Sequence, residues 1–234
     1  MSKKEVRVVG GMSKWSGVLK DMFRQIDDGS LAIEHFQAFL EHKNPFAVQA
    51  AQAAMEVIIE EWRKLYFTLG IFCNLSEVVI PDDPGGFNRV IIMAKGVKPQ
   101  WAYDKCSGLF RCCEWTDENL DEMVTSDRNA KNGPYAVRVR DRVEADRELK
   151  NMSANDLKRQ NIASITLEER LVYELKYFRE TGGYLDIQNV TLCSGSRCSD
   201  GDVPDVSWGG GELDVSWGGP DVASGHLRSR QVVF

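Results

Sequence analysis

The chain is 234 residues long, with 43% hydrophobic residues, 27% charged residues and a formal net charge of −6. This composition is typical of a globular protein, because a chain with that apolar content can bury enough surface to offset the entropy lost on folding. The acidic balance argues against a nucleic-acid partner, since affinity for phosphates depends mainly on a surplus of Lys and Arg.

No segment of the sequence has the length and apolar character of a membrane span. The most apolar stretch, residues 57–75, is interrupted by Glu60, Glu61, Arg63 and Lys64, whereas a span needs about 20 nearly uncharged residues. The first residues lack the apolar core of a secretory signal. We therefore expect a cytoplasmic protein without membrane association, in which the six cysteines are free thiols.

Residues 12–43 have the pattern of two consecutive helices. Apolar residues recur at helical spacing, at Val18, Leu19, Met22, Phe23 and Ile26 in the first helix and at Ile33, Phe36, Phe39 and Leu40 in the second. Two short helices bury little surface by themselves. We therefore predict that residues 1–45 form a small helical pair that docks a protein partner, and that residues 46–234 form a single core domain.

The first part of the predicted core alternates between helices and strands. Residues 47–67 predict the longest helix. The continuous apolar run at residues 90–94 predicts a strand covered on both faces, and Pro99 opens a further helix at a position where no N–H is needed. Alternating apolar and arginine residues at 135–140 predict a half-buried strand, and the charged segment 141–161 is expected to be exposed.

A capping box begins the next predicted helix. Thr166 and Glu169 have the spacing at which each side chain satisfies a free backbone N–H of the other residue. Apolar residues follow at helical spacing. Gly182 is predicted to end the helix, because glycine readily adopts the left-handed conformation that closes helices.

After this helix the chain becomes rich in glycine and contains a short repeat. The run Asp-Val-Ser-Trp-Gly-Gly at residues 205–210 recurs at residues 214–219. Each copy alternates apolar and polar residues, and glycines lie between the copies, so the repeat predicts a β-hairpin. Residues 227–234 predict a final strand with Arg228 and Arg230 on one face.

The loop at residues 196–205 has the densest set of polar groups in the sequence. Asp200, Asp202 and Asp205 offer the oxygen ligands that Ca²⁺ and Mg²⁺ prefer. The EF-hand pattern is incomplete, because Gly211 occupies the position at which that motif requires a bidentate glutamate. Asp and Gly are also typical of ordinary turns, so a metal site and a plain turn both fit this loop.

Arginines supply two further candidate ligand-binding positions. Arg197, with Ser199 and Asp200, is suited to an anionic group, although Arg197 and Asp200 could instead form a structural ion pair. Arg138 lies on one face of the strand predicted at residues 135–140, where it would meet phosphates or carboxylates. The acidic residues that follow favour a solvated, internally paired face, which contributes only about 0–1 kcal/mol per pair.

Trp208 and Trp217 occupy equivalent positions in the two copies of the repeat. They suit an aromatic platform for a carbohydrate or a peptide. They also suit a cross-strand pair that stabilises the hairpin by roughly 0.2–1 kcal/mol. Both lie on the apolar face of the alternation, which favours the structural role.

Several stretches between about residues 87 and 234 carry a resemblance to known proteins. They are Val90-Ile91-Ile92-Met93-Ala94-Lys95-Gly96, Asn132-Gly133-Pro134-Tyr135, Val143-Glu144-Ala145-Asp146, Ser153-Ala154-Asn155-Asp156-Leu157, Ile165-Thr166-Leu167-Glu168-Glu169-Arg170-Leu171, Thr191-Leu192-Cys193-Ser194-Gly195-Ser196-Arg197, Ser199-Asp200-Gly201 and Leu227-Arg228-Ser229-Arg230. In this order they resemble a family of bacterial conserved hypothetical proteins without an established activity. The resemblance implies that the last two thirds of the chain form one unit, and it implies no catalytic residue.

Together these patterns predict an α+β fold, with a helical N-terminal part and a mixed or antiparallel sheet in the C-terminal two thirds. No complete catalytic constellation is present, so we predict a non-enzymatic binding or regulatory module, and no cofactor is predicted. One alternative is a metal-assisted hydrolase or transferase using Asp200, Asp202 and Asp205. The other is carbohydrate or peptide binding through Trp208 and Trp217.

Overall fold

The computed structural model describes residues 12–41, 47–116 and 118–234, without the side chains of residues 12–15 and 47–51. The chain divides into two compact units, Met1–Glu56 and Val57–Phe234. This division lies within the third helix, residues 47–68, further along the chain than the boundary predicted at residue 45. Residue 45 itself is outside the described residues. Among the helices of the described ranges, none is long and apolar enough to cross a membrane.

The first unit contains the two predicted consecutive helices. They are α1 (Met12–Asp27) and α2 (Ile33–Leu40), and α3 (Ala47–Thr68) begins in the same unit. No residue of α2 is buried. The apolar residues that recur at helical spacing therefore remain largely in contact with solvent.

The second unit combines helices with three small sheets. After α3 its elements are β1 (Arg89–Met93), α4 (Pro99–Ser107), β2 (Cys112–Glu114), α5 (Leu120–Met123), β3 (Val124–Ser126), β4 (Tyr135–Val139), a 3-10 helix (Arg147–Leu149), α6 (Ala154–Arg159), α7 (Leu167–Thr181), β5 (Val190–Leu192), β6 (Ser196–Cys198), β7 (Val203–Gly209), β8 (Glu212–Gly218) and β9 (Leu227–Arg228). A five-stranded sheet has the order β2-β8-β7-β5-β9. It is mixed, because the edge strands β2 and β9 run parallel to their neighbours β8 and β5, while the pairs β8–β7 and β7–β5 are antiparallel. The pairs β1–β4 and β3–β6 are antiparallel. The predicted α+β class is confirmed.

Helix α7 is the central element of the second unit. Its N-cap Thr166 and Glu169 form the predicted capping box, and Gly182 ends the helix with φ 69°. Every residue from Leu167 to Lys176 is buried, so this part of the helix is covered on all sides. Because the buried stretch includes charged residues, those charges need partners inside the protein.

A buried ion network supplies some of these partners. The Arg170 guanidinium donates to Glu174 Oε2 at 2.6 Å and to Asp186 Oδ2 at 2.9 Å. Arg230 donates to Asp186 Oδ1 at 2.8 Å. Arg230 was predicted to lie with Arg228 on one face of a final strand, but β9 ends at Arg228 and Arg230 is buried in this network. The two arginines compensate the carboxylate, which explains how Asp186 can be fully buried.

The predicted hairpin is confirmed as β7 and β8. Gly210 and Gly211 form its turn with φ values of 62° and 86°, and a two-residue turn with two positive φ values is the type that matches the twist of antiparallel strands. Trp208 lies opposite Leu213 and Trp217 lies opposite Pro204. The two tryptophans therefore occupy opposite ends of the hairpin, and the predicted cross-strand pair does not form.

The segment 141–161 was expected to be exposed, and this prediction is wrong for several of its residues. Leu149, Ala154 and Leu157 belong to a buried hydrophobic cluster with Leu192 and Val203 of the large sheet. Asp146 of this segment is buried as well, whereas Lys150 and Arg159 remain exposed. A high density of charge along a sequence does not prevent a short helix from burying one apolar side, since each helical face repeats every three to four residues.

Candidate functional site

A cleft with a volume of about 400 Å³ opens beside helix α6. Three chain segments line it: the loop after β3, helix α6 with residues 161–164, and the β5–β6 turn with Arg197 of β6. Phe234 completes the wall. The volume is in the range of pockets that hold small molecules.

Helix α6 presents one lysine to the cleft while it buries apolar residues. Its N-terminus is closed by a capping box between Ser153 and Asp156. At its C-terminus, Asn161 has φ 54°, and the N–H of Ile162 donates to the Leu157 carbonyl at 3.0 Å. This is a Schellman-type closure, in which an asparagine takes the left-handed position and the flanking apolar residues pack together. Lys158, which lies between these anchors, lines the cleft.

A close backbone crossing fixes the β5–β6 turn at the cleft wall. The N–H of Gly195 donates to the Ile165 carbonyl at 3.1 Å, and its own carbonyl accepts from the Asp127 N–H at 2.9 Å. A Cβ at this position would lie 2.5 Å from the Ser164 carbonyl oxygen. Only glycine fits there without a shift of backbone, so this residue joins all three cleft-forming segments.

Arg197 is held in place by carbonyl groups. Its Nη1 donates to the Ser194 carbonyl at 2.8 Å and to the Ser196 carbonyl at 2.7 Å. Within the described ranges, neither Arg197 nor Lys158 forms an ion pair with a carboxylate. Both cations therefore retain donors that are available to a ligand in the cleft.

Arg128 is a rigid part of the cleft wall. Its Nε and Nη2 donate to the two carboxylate oxygens of Glu169 at 3.0 and 2.9 Å, and Nη2 also donates to the Ser164 carbonyl at 2.7 Å. Glu169 additionally accepts from the Tyr135 hydroxyl at 3.0 Å. The guanidinium lies 4.8 Å from the centre of the Phe234 ring. Because Glu169 neutralises Arg128, the uncompensated positive charge of the cleft comes from Lys158 and Arg197, with Asp127 as the opposing carboxylate.

The inner surface of the cleft is apolar. Ala154 and Leu157 are buried members of the hydrophobic cluster, and Ile162 packs against it. All three line the cleft. A ligand that fills it would meet apolar groups at the base and cationic groups around them.

Two hydrogen-bonded serines adjoin the cleft, because Ser126 precedes Asp127 and Ser196 precedes Arg197 in the sequence. Ser126 and Ser196 face each other across the β3–β6 ladder, with their Oγ atoms 2.7 Å apart. Ser126 donates to Glu168 Oε2 at 2.8 Å, and the Leu167 N–H donates to Ser196 Oγ at 2.9 Å. Burial raises the pKa of Glu168 to about 7. Since Ser196 is only 1% exposed, this relay can hold a proton near neutral pH but does not present a nucleophile to the cleft.

The three aspartates of the predicted metal loop do not converge. Asp200 is exposed, and its Oδ1 accepts from the Asp202 N–H at 3.0 Å as part of a local turn. Asp205 belongs to β7, where it lies opposite Ser216. Burial, together with Asp214, raises the pKa of Asp205 to about 6. Among the described residues, no group of three or more His, Cys, Asp or Glu side chains is placed to hold a metal ion.

The other predicted ligand-binding residues lie apart from the cleft. Ser199 is exposed in the turn after β6. Arg138 donates to the carbonyls of Pro81 and Phe87, so its guanidinium holds two positions of the loop between α3 and β1. Of the predicted ligand-binding set, Arg197 is the residue that lines the cleft.

The tryptophans have different surroundings. Trp208 stacks on Tyr184, with ring centres 3.3 Å apart and an interplanar angle of 7°, and the edge of Phe110 packs nearby at 5.7 Å. One face of the Trp208 ring is therefore covered by the protein. Trp217 is half-buried at the far end of the hairpin, so the two rings do not form one shared platform.

Arg128, Lys158 and Asn161 were not predicted as site residues. The spacing of Ser153 and Asp156, followed by Asn161, was a signal for a short capped helix and thus for the position of Lys158. No family model, curated protein or solved structure matches this chain. No similar protein therefore indicates a role for the cleft.

Proposed function

We propose that the Val57–Phe234 unit is a binding module for a small ligand with an anionic group and an apolar portion. The single observation that carries this proposal is the position of Arg197 and Lys158, two cations without a carboxylate partner among the described residues, beside the apolar base of one cleft. Hydrogen bonds to charged groups contribute about 1.5–3 kcal/mol each, and guanidinium groups suit carboxylates and phosphates in particular.

The charge distribution supports the same proposal. The whole chain has a formal net charge of −6, so a locally basic cleft does not follow from the overall composition. The carbonyl groups of Ser194 and Ser196 orient Arg197 before a ligand arrives. A ligand therefore loses little affinity to ordering of this side chain.

Phenyl phosphate is a suitable probe, because it joins an apolar ring to an anionic group. We expect it to raise the melting temperature of the full chain by several degrees at 100 times its dissociation constant, which corresponds to about 2.7 kcal/mol. Arg197→Met should weaken its binding by about 10- to 100-fold, since one charge-assisted contact is lost. Titration calorimetry and thermal melting measure both effects.

Arg179→Met is the matched control, because Arg179 is an exposed arginine of α7 that does not line the cleft. It should bind phenyl phosphate like the wild type. Inorganic phosphate should bind more weakly than phenyl phosphate if the apolar base contributes. Absence of saturable binding to the wild type, or equal binding by Arg197→Met, contradicts the proposal.

A second candidate function is protein docking through α1 and α2. The observation that favours it is the exposure of large apolar side chains on both helices, including Phe23 at 59% and Phe39 at 65%. Amphipathic helices commonly bind partners through such residues. In a pull-down from native lysate, a protein recovered with the wild-type chain should be lost from the double variant Phe23→Asp/Phe39→Asp. Identical recoveries from both chains contradict this function.

A further inference from the structure

The cleft adjoins a second, larger cavity. That cavity has a volume of about 940 Å³ and lies along the loop between β3 and β4. Asp127, Arg128 and Phe234 line both cavities. A ligand that passes these shared residues can occupy both spaces, and its two ends would meet different chemical environments.

The two cavities differ in charge. Lys158 and Arg197 line only the first cavity, whereas Glu77 lines only the second. An anionic group is therefore attracted to the first cavity and repelled from the far side of the second. This difference sets the direction in which a ligand with one anionic end would lie.

The second cavity offers a planar ring and amide groups. Phe234 is 68% exposed, although Arg128 lies over its ring at 4.8 Å. Arg128 is itself fixed by Glu169, so the ring packs on an immobilised guanidinium. Asn129 and Asn132 line the same cavity, and the side-chain amide of Asn132 has no hydrogen-bond partner in the described part of the chain.

We infer that the ligand of the proposed anion-binding cleft is a nucleotide, with its phosphate beside Arg197 and Lys158 and its base stacked on Phe234 in the adjoining cavity. A nucleobase is planar and carries hydrogen-bonding groups on its edge, which suits Phe234 and the amide of Asn132. Glu77 provides an acceptor for an exocyclic amino group. This inference rests on the proposed function and adds the class of ligand to it.

The test compares four probes on the full chain by titration calorimetry: adenosine 5′-monophosphate, guanosine 5′-monophosphate, ribose 5-phosphate and adenosine. At least one nucleotide should bind at least about 10-fold more tightly than ribose 5-phosphate or adenosine. Phe234→Ala should weaken nucleotide binding by about 5- to 150-fold, the range for loss of one base–aromatic stack, and should weaken ribose 5-phosphate binding much less. Arg197→Met should weaken binding of all three phosphate compounds.

Phe234→Trp should retain nucleotide binding, because it keeps an aromatic ring. Phe72→Ala is the matched control, since Phe72 is an exposed phenylalanine outside both cavities. If ribose 5-phosphate binds as tightly as the nucleotides and Phe234→Ala has no effect, the nucleotide inference is overturned while the anion-binding proposal stands. If neither the nucleotides nor phenyl phosphate bind, both are overturned.

Discussion

Asp186→Asn is expected to lower the free energy of unfolding of the Val57–Phe234 unit by about 3–5 kcal/mol, as found when one partner of a buried ion pair is removed. Asp186 is fully buried and accepts four hydrogen bonds. They come from Ala145 N–H, Arg170, Thr191 and Arg230. An asparagine amide offers one accepting oxygen, so its NH₂ group would face donors, and two arginines would lose a buried countercharge.

The choice of asparagine isolates this electrostatic effect. Asp186 has φ 55°, and asparagine is among the few residues that tolerate that conformation. Urea denaturation of the full chain measures the difference. Asp82→Asn, at an exposed aspartate, is the control and should change stability by no more than about 0.5 kcal/mol. A loss below 1 kcal/mol in Asp186→Asn would show that the network does not depend on this carboxylate.

Glu168→Gln is expected to stabilise the unit at alkaline pH, by up to about 3 kcal/mol. Burial raises the pKa of Glu168 from 4.5 to about 7. Between these two values the folded chain keeps a proton that the unfolded chain releases. The free energy of unfolding therefore falls as the pH rises from about 4.5 to about 7, and the full penalty is present above that range. Glutamine carries no charge and avoids this penalty, while its carbonyl can still accept from Ser126.

Melting of wild type and variant across pH 4.5 to 8.5 tests this expectation. The stability difference should favour Glu168→Gln most at pH 8.5 and should nearly vanish or reverse near pH 4.5, because Glu168 is then protonated in the folded chain and half protonated in the unfolded chain, so little of the penalty is present. Taking the difference cancels the titration of other groups, such as Asp205. Glu122→Gln, at an exposed glutamate of α5, should show no pH-dependent difference. A difference that does not change with pH would assign the effect of Glu168→Gln to packing.

Elements that depend on local hydrogen bonding were predictable from the sequence. The spacing of Thr166 and Glu169 predicted the start of α7, and the paired glycines predicted the β7–β8 turn. The apolar run at residues 90–94 predicted a covered strand, and β1 has buried residues at four of its five positions. In each case the predictive pattern lies within a few neighbouring residues.

The candidate site was predictable only in part. Arg197 stood out because it lies in a polar, glycine-containing segment, and it lines the cleft. The companions expected for it, Ser199 and Asp200, lie in an exposed turn instead. Its cationic companions are Lys158 and Arg128, which belong to other segments, and no local pattern relates residues so far apart along the chain.

The sequence by itself therefore determined the α+β class, the main helices and the hairpin, since helix caps, turns and apolar periodicity act over a few residues. The tertiary structure decided which charges are buried and which face a cleft. Arg170 and Arg230 are compensated by Asp186 and Glu174 inside the protein, whereas Arg197 retains donors at the cleft wall. This distinction depends on long-range packing, because a charge is stable in the interior only when distant parts of the chain bring a countercharge to it.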